Sequence, residues 1–389
     1  MERPIRRPPS RGLLAVAALI AVVVVVAAIL SFGKGPVAPA SSSPGSPSSS
    51  ATSSGAATAS PAGTASPSPI PTDTPVGIAR WARVTAGTPG PSARSGHSWT
   101  VDPSGAVAYL FGGRGGSGDL ADLWAYDLTA DSWTQLKPTG SPPAARSEHG
   151  AVWVDGLGLV VFGGRAASGV LGDFWAYDPD ANAWRTLEVG SVHPSARAAA
   201  CLTLRTDGRL WLYGGDRGSA PSDADLWIYD PGPSSWTRRA PSGGPGTRTG
   251  AACWWSSDDR LIVHGGTVDP GSAPVGDLWA LDPTASSDGT WKQVETTTLP
   301  ARQRAAVAFT SHGGVVVGGT GKGDALLADV VVFAPESLSA NVLGAAPDGP
   351  VARSGAALAD DPEAERTLLF GGRSASGPLD DLWSLDLPS

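Results

Sequence analysis

Beyond residue 80, apolar and polar positions recur in short runs, and none of them holds the roughly 3.6-residue period of an amphipathic helix. Some runs are wholly apolar, such as Leu159-Val160-Val161-Phe162, and end in Gly-Gly. Others alternate with period two, such as Leu123-Trp124-Ala125-Tyr126. Segments rich in Gly, Pro, Ser and Asp separate them. Short apolar or alternating runs bounded by turn residues predict β-strands, so the pattern predicts an all-β domain. The chain upstream differs. An uncharged apolar run from Leu13 to Phe32 is followed by a stretch of mostly Pro, Ser, Ala, Thr and Gly.

The strand pattern repeats. Gly-Gly pairs begin at Gly112, Gly163, Gly214, Gly265, Gly318 and Gly371, at spacings of 51, 51, 51, 53 and 53 residues. An arginine precedes each pair by 16 to 18 residues: Arg94, Arg146, Arg197, Arg248, Arg302 and Arg353. An aspartate follows each pair: Asp122, Asp173, Asp225, Asp277, Asp329 and Asp381. In most units that aspartate opens a run such as Leu-Trp-Ala-Tyr. A further tryptophan follows at Trp133, Trp184, Trp236 and Trp291. Each unit thus reads as four strands, and a repeat of about 50 residues with four strands predicts a propeller blade. Six units predict six blades over residues 79–389, starting near 94, 146, 197, 248, 302 and 353. The sixth unit ends after three strands. The segment 81–84, ahead of the first arginine, is expected to supply its fourth strand and close the ring.

These residues resemble the kelch repeat family, whose pattern is an apolar run, Gly-Gly, then spaced Tyr and Trp. Units one to three match it well. Unit four has Leu281 in place of Tyr, unit five has Val331 and Phe333 in place of the aromatics, and unit six has Leu385. The resemblance implies an all-β six-bladed kelch-type β-propeller. The wider group includes the propeller domain of galactose oxidase and a sialic-acid epimerase, so it also implies an enzyme as the alternative to a binding module.

Charge sets the N-terminus apart from the repeats. Arg3, Arg6, Arg7 and Arg11 precede the run 13–32, which at about 1.5 Å per residue spans roughly the 30 Å of a bilayer core. The positive-inside rule places 1–12 in the cytoplasm and the rest outside. Residues 13–32 read as a transmembrane signal anchor, and the protein is secreted instead if the segment is cleaved. Residues 33–78 read as a disordered linker, too apolar-poor to offset chain entropy. The net charge is −8, and without the basic first 34 residues it is −12. That acidic body argues against nucleic-acid binding.

The remaining candidates follow from the repeat. The six leading arginines are expected near one channel mouth, where they either pair with the six aspartates or form a ring of cations. The loops after Gly-Gly add Arg114, Arg165, Arg217 and Arg373 as ligand-binding candidates. His97 and His149 hold matching positions that are alanine in the other blades, and a packing role is expected for them. Cys201 and Cys253 fall four and five residues after their arginines. Adjacent strand positions point to opposite faces, so buried thiols are expected rather than a disulfide. No catalytic residue, metal site or cofactor is assigned. The expected function is a membrane-tethered extracellular scaffold for an unknown protein or glycan ligand. The alternative is a carbohydrate-active epimerase, lyase or oxidase, which unlike polar residues in one or two blades at the channel would favour.

Overall fold

The computed structural model describes residues 79–387, apart from 221–223 and 297–298. The expectations for residues 1–12, 13–32 and 33–78 lie outside the described residues. Six four-stranded antiparallel sheets form six blades of an all-β propeller. Blade one is Ser98–Val101, Val107–Phe111, Leu123–Asp127 and Ser132–Leu136, in that order across the sheet. Blade six takes Ala357–Asp361, Arg366–Phe370 and Leu382–Asp386 from the end of the chain and Arg80–Val84 from the start. Arg80 lies opposite Asp386 and Val84 opposite Leu382.

The second strand of each blade is mostly apolar because both its faces are buried. Six hydrophobic clusters fill the six seams between neighbouring blades, and side chains alternate between them along each strand. Leu210 and Leu212 join the cluster shared with blade two, while Trp211 and Tyr213 join the one shared with blade four. The late tryptophan belongs to a seam as well: Trp133 stacks on Trp99 at 5.6 Å and meets Phe370 of blade six at 5.2 Å.

The Gly-Gly pair exists because of the next blade. At Gly163 a side-chain carbon would lie 2.6 Å from the carbonyl oxygen of Arg197, and φ is +63°, so both space and backbone conformation require glycine. The second glycine, Gly164, donates its N–H to that same carbonyl at 2.9 Å. The bond recurs at every seam, ending with Gly372 to Arg94, so it forms a closed ring.

The cysteines depart from expectation. Cys201 and Cys253 form a disulfide between the inner strands of blades three and four, with Cα atoms 6.0 Å apart. The alternation of faces is real, but its consequence is the reverse of that expected. Equal positions in successive blades point the same way around the ring. Side chains that meet across a seam must therefore sit on opposite faces of their own blades. An offset of one residue is what allows Cys201 and Cys253 to meet.

Candidate functional site

The repeated charges form one unit per blade. Arg94 is fully buried. Its Nη1 and Nη2 donate to Asp122 at 2.7 and 2.8 Å, and Nη1 also donates to the Gly112 carbonyl at 2.9 Å. The Trp124 indole N–H donates to the same aspartate at 2.7 Å. Arg146, Asp173, Trp175 and Gly163 repeat this in blade two, and Arg353, Asp381, Trp383 and Gly371 in blade six. Arg248 pairs with Asp277 and Arg302 with Asp329. Arg197 donates to the Gly214 carbonyl, and Asp225 pairs with Arg238. Burial raises the Asp122 carboxyl pKa, but hydrogen bonds from Arg94 and Trp124 outweigh it and hold the group below the usual carboxylate range. The six arginines are at most 5% exposed, so they present no charge to the channel. Replacing Arg146 with Ala strands Asp173 and the Gly163 carbonyl. The expected loss is about 2–4 kcal/mol in urea unfolding, less than for a fully buried pair because Asp173 is partly hydrated.

A second closed ring lies at the channel mouth. Two residues past each leading arginine, one residue per blade adopts positive φ: Gly96, Glu148, Ala199, Gly250, Arg304 and Gly355. Each donates its backbone N–H to the carbonyl of its counterpart in the preceding blade, as Glu148 to Gly96 at 2.7 Å and Gly96 to Gly355 at 2.7 Å. Glu148 and Arg304 stand three places apart on this ring of six, hence opposite one another. Their side chains meet, with Glu148 Oε1 2.6 Å from Arg304 Nε. The ring residues and their neighbours line an open cavity of about 500 Å³. Arg114 and Arg373 enter it from neighbouring blades one and six, and Ala200 and Ala251 make its opposite wall.

The family model named KLHDC2/KLHL20/DRC7 Kelch-repeats domain matches residues 76–266 and 190–361. The chain belongs to the kelch-repeat family. Adagio-like protein 3 of Oryza sativa subsp. japonica is 31% identical over 256 residues, 62% of this chain and 39% of its own length. Rab9 effector protein with kelch motifs of Xenopus laevis is 27% identical over 220 residues, 52% of this chain and 57% of its own length. The chain thus spans about 40% to 57% of the length of these relatives.

In this kelch propeller the four loop arginines fare differently. Arg114 and Arg373 line the cavity and are exposed. Arg114 lies 3.4 Å from Asp119, and no carboxylate lies within ion-pair reach of Arg373 among the described residues. Arg165 is engaged instead, by Asp216 and by Glu148 at 3.5 Å. Arg217 is one residue out of register: Asp216 holds the matching loop position and bridges Ala198, as Arg373 bridges Ser354. Arg217 does not line the cavity.

Glu148 and Arg304 escaped the sequence reading, which compared the blades at the position of His97 and His149 but not one residue earlier. That earlier position is glycine in three of six blades, which signals positive φ. His97 and His149 directly follow the ring residues Gly96 and Glu148, each imidazole edge-on to a phenylalanine of the preceding blade, Phe370 and Phe111. His149 Nε2 is 2.9 Å from the Ser98 hydroxyl, whereas neither nitrogen of His97 has a partner among the described residues. Burial, then the nearby arginines, lowers both pKa values to about 3, so both are neutral at physiological pH.

Proposed function

We propose that this protein is an extracellular, membrane-tethered kelch propeller whose mouth binds an acidic segment of a protein partner. The observation that carries the reading is the pair Arg114 and Arg373, exposed on adjacent blades over one cavity of about 500 Å³. Guanidinium groups offer planar two-toothed hydrogen bonding to carboxylates, and a half-enclosed cavity strengthens it. The cavity lining holds one carboxylate, Glu148, and Arg304 already engages it. Glu148 and Arg304 are unlike residues at the mouth, the feature named above as favouring an enzyme, but paired with each other they act here as part of a binding surface. A protein partner agrees with the name of the Xenopus relative, an effector protein. An acidic glycan offers the same charge and is the second reading.

The compartment rests on two features. The basic residues ahead of the apolar run 13–32 orient the propeller outward. The Cys201–Cys253 disulfide fits an oxidising exterior. Protease added to intact cells should release the propeller by cutting within 33–78. The released domain should bind a hexaglutamate peptide, and the double variant Arg114→Ala/Arg373→Ala should lose that binding while melting within about 2 °C of the parent. A chain wholly protected from protease overturns the topology. Unchanged binding by the double variant overturns the site.

A further inference from the structure

The mouth already contains a carboxylate bound to arginine. Glu148 Oε1 lies 2.6 Å from Arg304 Nε, across the full width of the ring, and Oε2 lies 3.5 Å from Arg165 Nε. All three side chains are partly exposed, at 19%, 38% and 35%, so solvent reaches the cluster. The ring itself is held by backbone hydrogen bonds, which continue unbroken through Gly96, Ala199, Gly250 and Gly355, where no charged side chain stands. Four blades thus close the ring without such a pair, and closure does not call for this ion pair. Its effect is on charge. Arg304 and Arg165 are occupied on the side of blades two, three and five; on the side of blades one and six Arg373 has no carboxylate within ion-pair reach among the described residues, and Arg114, which is exposed, touches Asp119 at 3.4 Å.

We infer that Glu148 is a specificity-determining residue of the mouth: it occupies Arg304 as a built-in carboxylate, while Asp216 together with Glu148 holds Arg165, so that an incoming acidic segment places its anionic group on Arg114 and Arg373 alone. The inference rests on the proposed acidic-segment site and adds where the anion sits and what keeps a second anion out. A ligand carboxylate that approaches Arg304 must displace one already held there, and an exchange of like for like yields little net affinity. Removing the internal competitor leaves Arg304 open to the cavity, where a charge-assisted hydrogen bond to the ligand becomes available.

The test uses the full-length protein solubilised in detergent and hexaglutamate as the probe, read by calorimetry at one fixed salt concentration. Glu148→Gln keeps size and ring backbone while removing the charge. It should bind about tenfold more tightly than the parent. Asp288→Asn provides the control for the general change in net charge. That aspartate lines a separate cavity with Arg205 and Arg239, where the second and third strands of blade three begin and end. It should change affinity less than about twofold. Adding Arg304→Ala to Glu148→Gln should return affinity to about the parent value, a coupling that a merely structural ion pair would not produce. Glu148→Gln binding no more tightly than Asp288→Asn overturns the inference alone. Hexaglutamate bound by neither the parent nor Glu148→Gln overturns the proposed acidic-segment site, and the inference with it.

Discussion

A chain starting at residue 87 should melt about 10 °C or more below a chain starting at residue 76, or fail to stay soluble. The difference between them is the strand Arg80–Val84, which supplies the fourth strand of blade six. Its loss uncovers the backbone edge of Leu382–Asp386, opposite which it pairs from Arg80 to Val84. An open strand edge is a template for association with other chains. It also removes packing on both sides of the blade. Trp81 packs on the cluster between blades five and six, and Val84 on the cluster between blades six and one. Ala79 is fully buried in the former cluster. A half-buried tryptophan contributes at the lower end of the usual range, ~3 kcal/mol, and the pairing and remaining packing add to it. Against a typical total of about 5–15 kcal/mol, such a loss is a large fraction. Equal melting temperatures for the two chains, by calorimetry at equal concentration, would show that the ring does not depend on its N-terminal strand.

The second large effect is acid sensitivity well above the range where carboxylates titrate. His97, His149 and His264 are buried and neutral, with pKa values lowered from 6.5 to about 3, about 3 and about 4, chiefly by burial and then by neighbouring arginines. In the unfolded chain they take up protons below about pH 6.5. The folded chain takes them up only near pH 3 to 4. The unfolded state therefore binds more protons throughout this interval, and stability falls as the pH falls. The contribution is complete above the unfolded value. By about pH 4.5 each histidine has withdrawn roughly 2–3 kcal/mol. The arginine-paired carboxylates behave differently. Asp122, Asp173 and Asp381 have lowered pKa values, so they stay ionised in this window and lose their contribution only below the unfolded value of 3.8. The melting temperature should thus drop steeply between about pH 6.5 and pH 4.5. The variant His97→Ala/His149→Ala, which installs the residue of the other four blades, should remove about two thirds of that drop. An identical pH profile for parent and variant would assign the acid sensitivity to other groups.

The periodic features are legible in the sequence itself. Blade number, strand identity and the pairing partners of Arg94 or Arg353 follow from a unit that recurs every 51 to 53 residues. Each is a property of one blade: the aspartate lies 27 to 29 residues after its arginine in all five directly observed pairs. The Gly-Gly pairs were equally legible as turn residues, but their reason was not, because the atom that excludes a side chain at Gly163 belongs to Arg197 of the next blade.

Tertiary structure decided whatever depends on the ring rather than the repeat. Glu148 and Arg304 are 156 residues apart and no local pattern joins them; they meet because blades two and five stand opposite in a ring of six. Cys201 and Cys253 meet because blades related by rotation face each other with opposite sides, which turns a one-residue offset into a contact. Arg114, Arg165, Arg217 and Arg373 look alike along the chain, yet Arg165 is engaged by Glu148 and Asp216, Arg217 stands outside the cavity, and Arg114 and Arg373 face it. A repeated sequence specifies the blade, because its strands and charges interact within some 50 residues. Closing six blades into a circle creates the neighbours that distinguish one blade's loop from another's, and with them the asymmetric mouth.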